Sequence, residues 1–232
     1  MDFSPEGPKA IPLWINGHAF LTVTESFYDV VSPLTGEAVR RVPLCGADEA
    51  RAAVAAAVGA QAAWSALAEG ERQRLLDALA EALDRYTGHF AKLVREETGC
   101  SEEAARTEVG DAVAALRGAS PAEGGVVGLV VDASRPLAGF AAAAAPALRG
   151  GATLVVKPSP KAPSAVFALC ELSSRAAWPD GVLNLLQGDA PAIEGLCQAG
   201  VARLAFAGEA ALSTQVEAIA VRCGTPFVAV AA

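Results

Sequence analysis

Between residues 126 and 230, five short apolar runs alternate with four stretches of helical periodicity, and this rhythm restricts the fold more than any other feature of the chain. The runs are Val126–Val131, Thr153–Val156, Val182–Leu186, Val201–Phe206 and Pro226–Val230. Between them Ala138–Leu148, Ser164–Ala176, Ile193–Ala199 and Ala210–Arg222 read as helices. Each run is apolar throughout, as a strand buried on both faces is, where a half-solvated strand would alternate. Strand and helix in strict succession require crossover connections, which are right-handed and place helices on both faces of a parallel sheet. The expected class is α/β: a Rossmann-type, doubly wound, mainly parallel five-stranded sheet preceded by a helical N-terminal segment.

The first part of the chain has another rhythm. Ile11–Gly17 reads as a short strand ending in an Asn-Gly turn, and Val30–Glu37 places Pro33 and Gly36 around a second turn. From Asp48, the expected N-cap, to Arg117 the period becomes helical. Leu75, Leu76, Leu79, Leu83 and Tyr86 form one stripe with charged residues between them, so this helix should bury a single face. A second helix runs through Phe90, Leu93 and Val94 and a third over Glu102–Leu116, with Gly88, Gly99 and Gly118 as punctuation. One domain is expected over 1–232, with 1–46 extended, 47–118 helical and 119–232 the βαβ core.

Composition removes several functional classes. The mean hydropathy of +0.35 would suit a membrane protein, but it is inflated by 53 alanines, which add little bulk. The uncharged runs at 52–68 and 136–148 fall short of the roughly 20 strongly apolar residues of a membrane span. Asp2 and Glu6 do not resemble the basic start of a secretory signal, so a cytoplasmic protein is expected. Residues 1–118 hold 11 basic and 18 acidic side chains, and 119–232 hold 7 and 8, so no basic stripe offers itself to nucleic acid or an anionic membrane. Cys45, Cys100, Cys170, Cys197 and Cys223 are widely spaced, with only His18 and His89 for company. That pattern suits buried thiols better than a disulfide framework or a metal site. Trp14, Trp64 and Trp178 are expected in the core.

No G-x-G-x-x-G or G-x-x-x-x-G-K-[ST] follows any of the strands, and fold class alone does not assign function. Seven shorter strings say more. They are Trp14-Ile15-Asn16-Gly17, Ser32-Pro33-Leu34-Thr35-Gly36-Glu37 and Glu97-Thr98-Gly99-Cys100, then Asp132-Ala133-Ser134-Arg135-Pro136. After these come Ala147-Leu148 through Lys157-Pro158-Ser159, Pro179-Asp180-Gly181-Val182 through Gly188, and Phe206-Ala207-Gly208-Glu209. In this order and spacing the set resembles the N-terminal, nucleotide-binding half of the aldehyde dehydrogenase superfamily. The family patterns are I-N-G-x-W, N-P-x-T-G-E, E-T-G-K, P-W-N-F-P, A-L-x-x-G-N-x-V-V-x-K-P-S-E, P-x-G-V-x-N-x-V-x-G and F-T-G-S.

The resemblance implies NAD or NADP as cofactor and a cysteine thiolate as nucleophile, but the positions that matter depart from it. Ser134 stands where the family's Asn stabilises the oxyanion, and losing one such donor costs about 100–1000-fold in rate. Lys157 is kept for a ribose hydroxyl, while the Glu that closes K-P-S-E is Pro160. Glu209 replaces the serine of F-T-G-S, putting a carboxylate where a phosphate would approach a helix start. Lys157, Ser159 and Gly208 thus remain as vestiges of a cofactor site that should bind weakly if at all. The general-base Glu of the family aligns roughly with Val230, no cysteine matches the nucleophile's motif, and the catalytic domain does not follow within the 232 residues. Between Leu116 and Val126 the family's subunit-joining hairpin is reduced to a short link.

The resemblance therefore implies a domain that is non-catalytic alone and acts as an interaction or assembly module. A truncated domain of this kind is appended to some bifunctional proline-utilisation enzymes. The alternative is an NAD(P)-binding subunit completed by another chain. The apolar, uncharged run at Phe227–Val230 points to a homodimer or a complex with another protein.

Overall fold

The computed structural model describes residues 8–24 and 26–230; Asp2, Glu6, Ala231 and Ala232 lie outside the described residues. The chain opens with two strands, β1 (Leu13–Ile15) and β2 (His18–Phe20), joined by the Asn-Gly turn. Asn16 and Gly17 both take positive φ, 54° and 81°, as a tight hairpin turn of this hand requires. A Cβ on residue 17 would also lie 1.9 Å from Asp180 Oδ1. Strands β3 (Phe27–Val31) and β4 (Ala38–Pro43) pair as a separate antiparallel ribbon around the Pro33–Gly36 turn.

Four helices follow: α1 (Ala47–Ala66), α2 (Glu69–Arg85), α3 (Thr87–Thr98) and α4 (Glu102–Gly118). Helix α1 starts one residue before Asp48. Gly46 is its cap, and the Glu49 carboxylate turns back to accept the Gly46 N–H at 3.1 Å, so Asp48 is an exposed first-turn residue instead. Leu76, Leu79 and Leu83 are buried as the stripe predicts, whereas Tyr86 caps the helix and stays exposed. Gly99 ends α3 in the left-handed conformation (φ 74°), while Gly88 lies inside α3's first turn and Gly118 closes α4.

The remaining elements alternate: β5 (Gly125–Val131), α5 (Pro136–Arg149), β6 (Ala152–Pro158), α6 (Ser164–Arg175), β7 (Leu183–Leu185), α7 (Ala190–Gln198), β8 (Arg203–Ala207), α8 (Ala210–Arg222) and β9 (Phe227–Val230). The sheet order is β2-β1-β7-β6-β5-β8-β9, with β5 to β9 mutually parallel. It has seven strands where five were expected, because the N-terminal hairpin adds antiparallel beside β7. The hairpin is held there by Asn184, whose Oδ1 accepts the Asn16 N–H at 3.0 Å.

Successive residues of the central strands face two different cores. Val127, Leu129, Val131, Leu154 and Val156 join α2 to α6 on one side, around stacked Trp64 and Trp178 with centroids 5.6 Å apart. Val126, Val130, Val155, Leu204 and Phe206 join α1, α7 and α8 on the other. Trp14, Trp64 and Trp178 are all buried, and the two indole N–H groups of Trp64 and Trp178 find the carbonyls of Leu148 and Leu75. Helices on both faces and the direction reversal at β5 make the sheet doubly wound, and they put a crevice beyond the carboxyl ends of β5, β6 and β8.

Candidate functional site

That crevice holds a cavity of about 540 Å³, bordered by Asp132, Ala133 and Ser134 after β5 and by Lys157, Ser159, Pro160 and Lys161 around the end of β6. Asp189 and Ala190 at the start of α7, Glu209 at the start of α8, and Phe206, Leu212 and Val216 complete its wall. The expected site residues Ser134, Lys157 and Ser159 therefore share one cleft, with Gly208 in the turn beside Glu209. Tyr28 of β3 reaches its rim, a contribution without a signal in the local sequence.

The chemistry of the cleft is dominated by a residue that motif reasoning passed over. Asp132 is buried at the end of β5. Its Oδ1 accepts the Ser134 N–H at 2.8 Å and the Ser134 hydroxyl at 2.6 Å, and its Oδ2 accepts the Glu209 N–H at 2.6 Å. An Asp bonding the backbone two residues on is an Asx turn, and the Asp132-Ala133-Ser134 spacing was the signal that could have disclosed it. The approach to α8 is close: a Cβ on residue 208 would lie 2.2 Å from Asp132 Oδ2, so only glycine fits there.

Ser134 stands at the position of the family's oxyanion Asn. Its hydroxyl is instead committed to Asp132, and the adjacent Arg135 guanidinium turns away to Asp111. Lys157 was expected to face a ribose hydroxyl. It is 3% exposed and donates its Nζ proton to the Gly188 carbonyl at 3.2 Å. Burial lowers its pKa to about 8, only partly opposed by the Asp189 carboxylate.

The same device recurs along the carboxyl edge of the sheet. Glu108 accepts the N–H groups of Leu137 (2.8 Å) and Ala138 (3.3 Å) at the start of α5. Glu97, from the Glu-Thr-Gly string, accepts the Ser164 N–H at 3.0 Å and the Ser164 hydroxyl at the start of α6. With Asp132 at α8, three of the four helices that follow a parallel strand begin on a carboxylate of the chain itself. Helix starts are anion sites because their first N–H groups lack partners within the helix, and at these three starts a carboxylate already accepts from Leu137 and Ala138, from Ser164, and from the N-cap residue Glu209.

The residues present do not fit a dinucleotide's pyrophosphate. The Asp132 carboxylate meets the helix start that would receive it, Glu209 adds a second carboxylate, and Pro160 has no side-chain acceptor for a ribose. The cysteines add no thiolate to the cleft. Burial pushes Cys45 up to about 12 and also raises Cys170 and Cys197, and none borders the cavity. Cys223 caps the end of α8. Among the described residues no group of His, Cys, Asp or Glu could hold a metal ion, and no helix is long and apolar enough to cross a membrane.

Comparison with known proteins gives the ancestry. The model of the aldehyde dehydrogenase family matches residues 20–124 and 119–229. Succinate-semialdehyde dehydrogenase [NADP(+)] of Escherichia coli is 30% identical over 227 residues, spanning 87% of this chain and 47% of that protein. Human 2-aminomuconic semialdehyde dehydrogenase is 30% identical over 192 residues, 72% of this chain and 39% of that protein. Among solved structures, lactaldehyde dehydrogenase from Escherichia coli superposes with a TM-score of 0.88 at 25% identity, covering 96% of this chain and 52% of that one. The structure of PnpE in complex with nicotinamide adenine dinucleotide gives a TM-score of 0.85 at 28% identity, with 94% and 50% covered. The chain thus spans about half the length of the relatives it matches. By the extent of these matches it belongs to the aldehyde dehydrogenase family.

Proposed function

We propose that this chain is an aldehyde-dehydrogenase-like domain that oxidises no aldehyde by itself and serves as an interaction or assembly module. The observation that carries the reading is the sheet edge at β9. The hairpin of β1 and β2 pairs with β7 at the opposite edge of the sheet from β9. Among the described residues strand β9 pairs with β8 alone. Val228 is 45% exposed, and it lines an apolar groove with Val230, Ala205, Ala142 and Ala143 on the side of the sheet that α5 only partly covers. An uncharged edge strand with an apolar face is unusual on a lone domain. The commitment of Ser134 and the raised thiols support the absence of chemistry, and five free cysteines suit a reducing compartment such as the cytoplasm.

Light scattering at micromolar concentration tests this reading. The expected mass exceeds that of one chain, or does so once the natural partner is present, and Val228→Lys lowers it. A single-chain mass under both conditions, with Val228→Lys leaving solubility and stability unchanged, would contradict an interface at β9. A second reading, an NAD(P)-binding unit completed by another chain, is favoured by one observation: Lys157 is retained at the end of β6 and borders the cleft. NAD+ raising the melting temperature would favour that second reading, because a ligand at 100 times its Kd adds about 2.7 kcal/mol.

A further inference from the structure

We infer that Asp132 sets what the cleft refuses: its buried carboxylate, bonded to the donors at the start of α8, excludes phosphoryl ligands from a latent anion site. This rests on the reading above, in which the cleft turns over no dinucleotide, and it goes further by assigning the exclusion to one side chain. The donors are demonstrably able to hold an anion, because they hold one. Ser134 N–H, Ser134 hydroxyl and Glu209 N–H converge on the two oxygens of Asp132 at 2.6–2.8 Å. The space is built for it, since Gly208 leaves room that any side chain would close.

A phosphoryl oxygen arriving at the same place would meet a carboxylate oxygen instead of an N–H. It would bring a second negative charge into a buried position, with the Glu209 carboxylate beside it. The Lys157 ammonium donates to the Gly188 carbonyl, and among the described residues no ion pair joins it to Asp132 or Glu209. Without Asp132 the donors and the helix dipole become available together, and the cavity next to them can take a ligand. The exclusion is therefore local and reversible by substitution. It does not depend on residues outside the chain.

Inorganic pyrophosphate, titrated calorimetrically into the full chain and its variants at matched ionic strength, tests the inference. The parent should show no saturable binding up to about 10 mM. Asp132→Ala should bind pyrophosphate at least about tenfold more tightly than the parent, an effect that sodium chloride does not reproduce. Asp132→Asn keeps the shape and removes the charge, so it should fall between them, while Glu209→Gln should change little because Asp132 stays in place. Should Asp132→Ala not fold, Asp132→Asn carries the same comparison. Parent binding equal to that of the variants would overturn the inference, as would Asp132→Asn that is folded by circular dichroism yet binds no better than the parent. Light scattering is blind to pyrophosphate, so a failure here is separate from a failure of the assembly reading.

Discussion

Lys157 is the side chain whose inherited chemistry and present surroundings disagree most. A lysine bordering a cleft would normally keep its ammonium hydrated or paired, but this one is buried with a single carbonyl partner. Burial lowers its pKa from 10.5 to about 8. The unfolded chain therefore binds the proton more tightly than the folded one, so the folded state is penalised wherever the lysine is charged in both. At about 1.4 kcal/mol per pH unit the penalty is on the order of 3 kcal/mol below pH 8 and fades as pH rises toward 10.5. Lys157→Met should accordingly be more stable than the parent at pH 7, with the difference shrinking by pH 10. Urea melts at the two pH values measure it, and a variant no more stable than the parent at pH 7 would show that the ammonium has a compensating partner. The wider lesson at this scale concerns Asp132. Motif comparison registers it only as a residue that is not the family's proline. Its importance lies in a hydrogen bond to Glu209, 77 positions away, which no local string can express.

At the scale of elements, carboxylates tie the helical segment to the sheet. Glu97 belongs to α3 but caps α6, and Arg40 of β4 donates to its Oε1 at 3.3 Å. Burial pushes the Glu97 carboxyl up to about 7, against the Ser164 hydrogen bonds and the Arg40 charge that favour its ionised form. The folded chain thus holds this proton more tightly than the unfolded one. The stability it contributes is complete below about pH 4.5 and is lost as pH rises through 7. Glu97→Gln should flatten that slope. Glu97→Ala should cost about 2–4 kcal/mol, because it leaves the buried N–H and hydroxyl of Ser164 without an acceptor, whereas Arg40 keeps its ion pair to Glu96 at 2.7 Å. Chemical denaturation at pH 5 and 8 reads both effects, and a loss under about 0.5 kcal/mol in Glu97→Ala would mean that water replaces the cap.

Elements were also where the sequence was most legible. The five parallel strands and the helices between them follow from apolar runs and 3.6-residue periodicity, because the central strands β5 to β8 are buried on both faces, while β9 is apolar yet partly exposed. The antiparallel extension was not legible, since three residues at Leu13–Ile15 reveal a strand but not its partner. The pairing is set by Asn184, 168 positions from Asn16. Helix α1 misled for a related reason: Asp48 has the right side chain for a cap, but Glu49 reaches back to Gly46 and moves the start.

For the whole molecule, the family's scaffold persists. The superposition with lactaldehyde dehydrogenase covers 96% of the chain, yet the polar groups of the cleft mostly satisfy one another. Ser134 is bonded to Asp132, Asp132 to Glu209, and Lys157 to Gly188. The chain should show no NAD-dependent oxidation of aldehydes above background; turnover abolished by a single Cys→Ala substitution would refute that. The most direct measurement is calorimetric titration of NAD+ and NADP+ into the full chain. The predicted result is no binding tighter than about millimolar, roughly −4 kcal/mol, and micromolar binding of either dinucleotide would contradict the account.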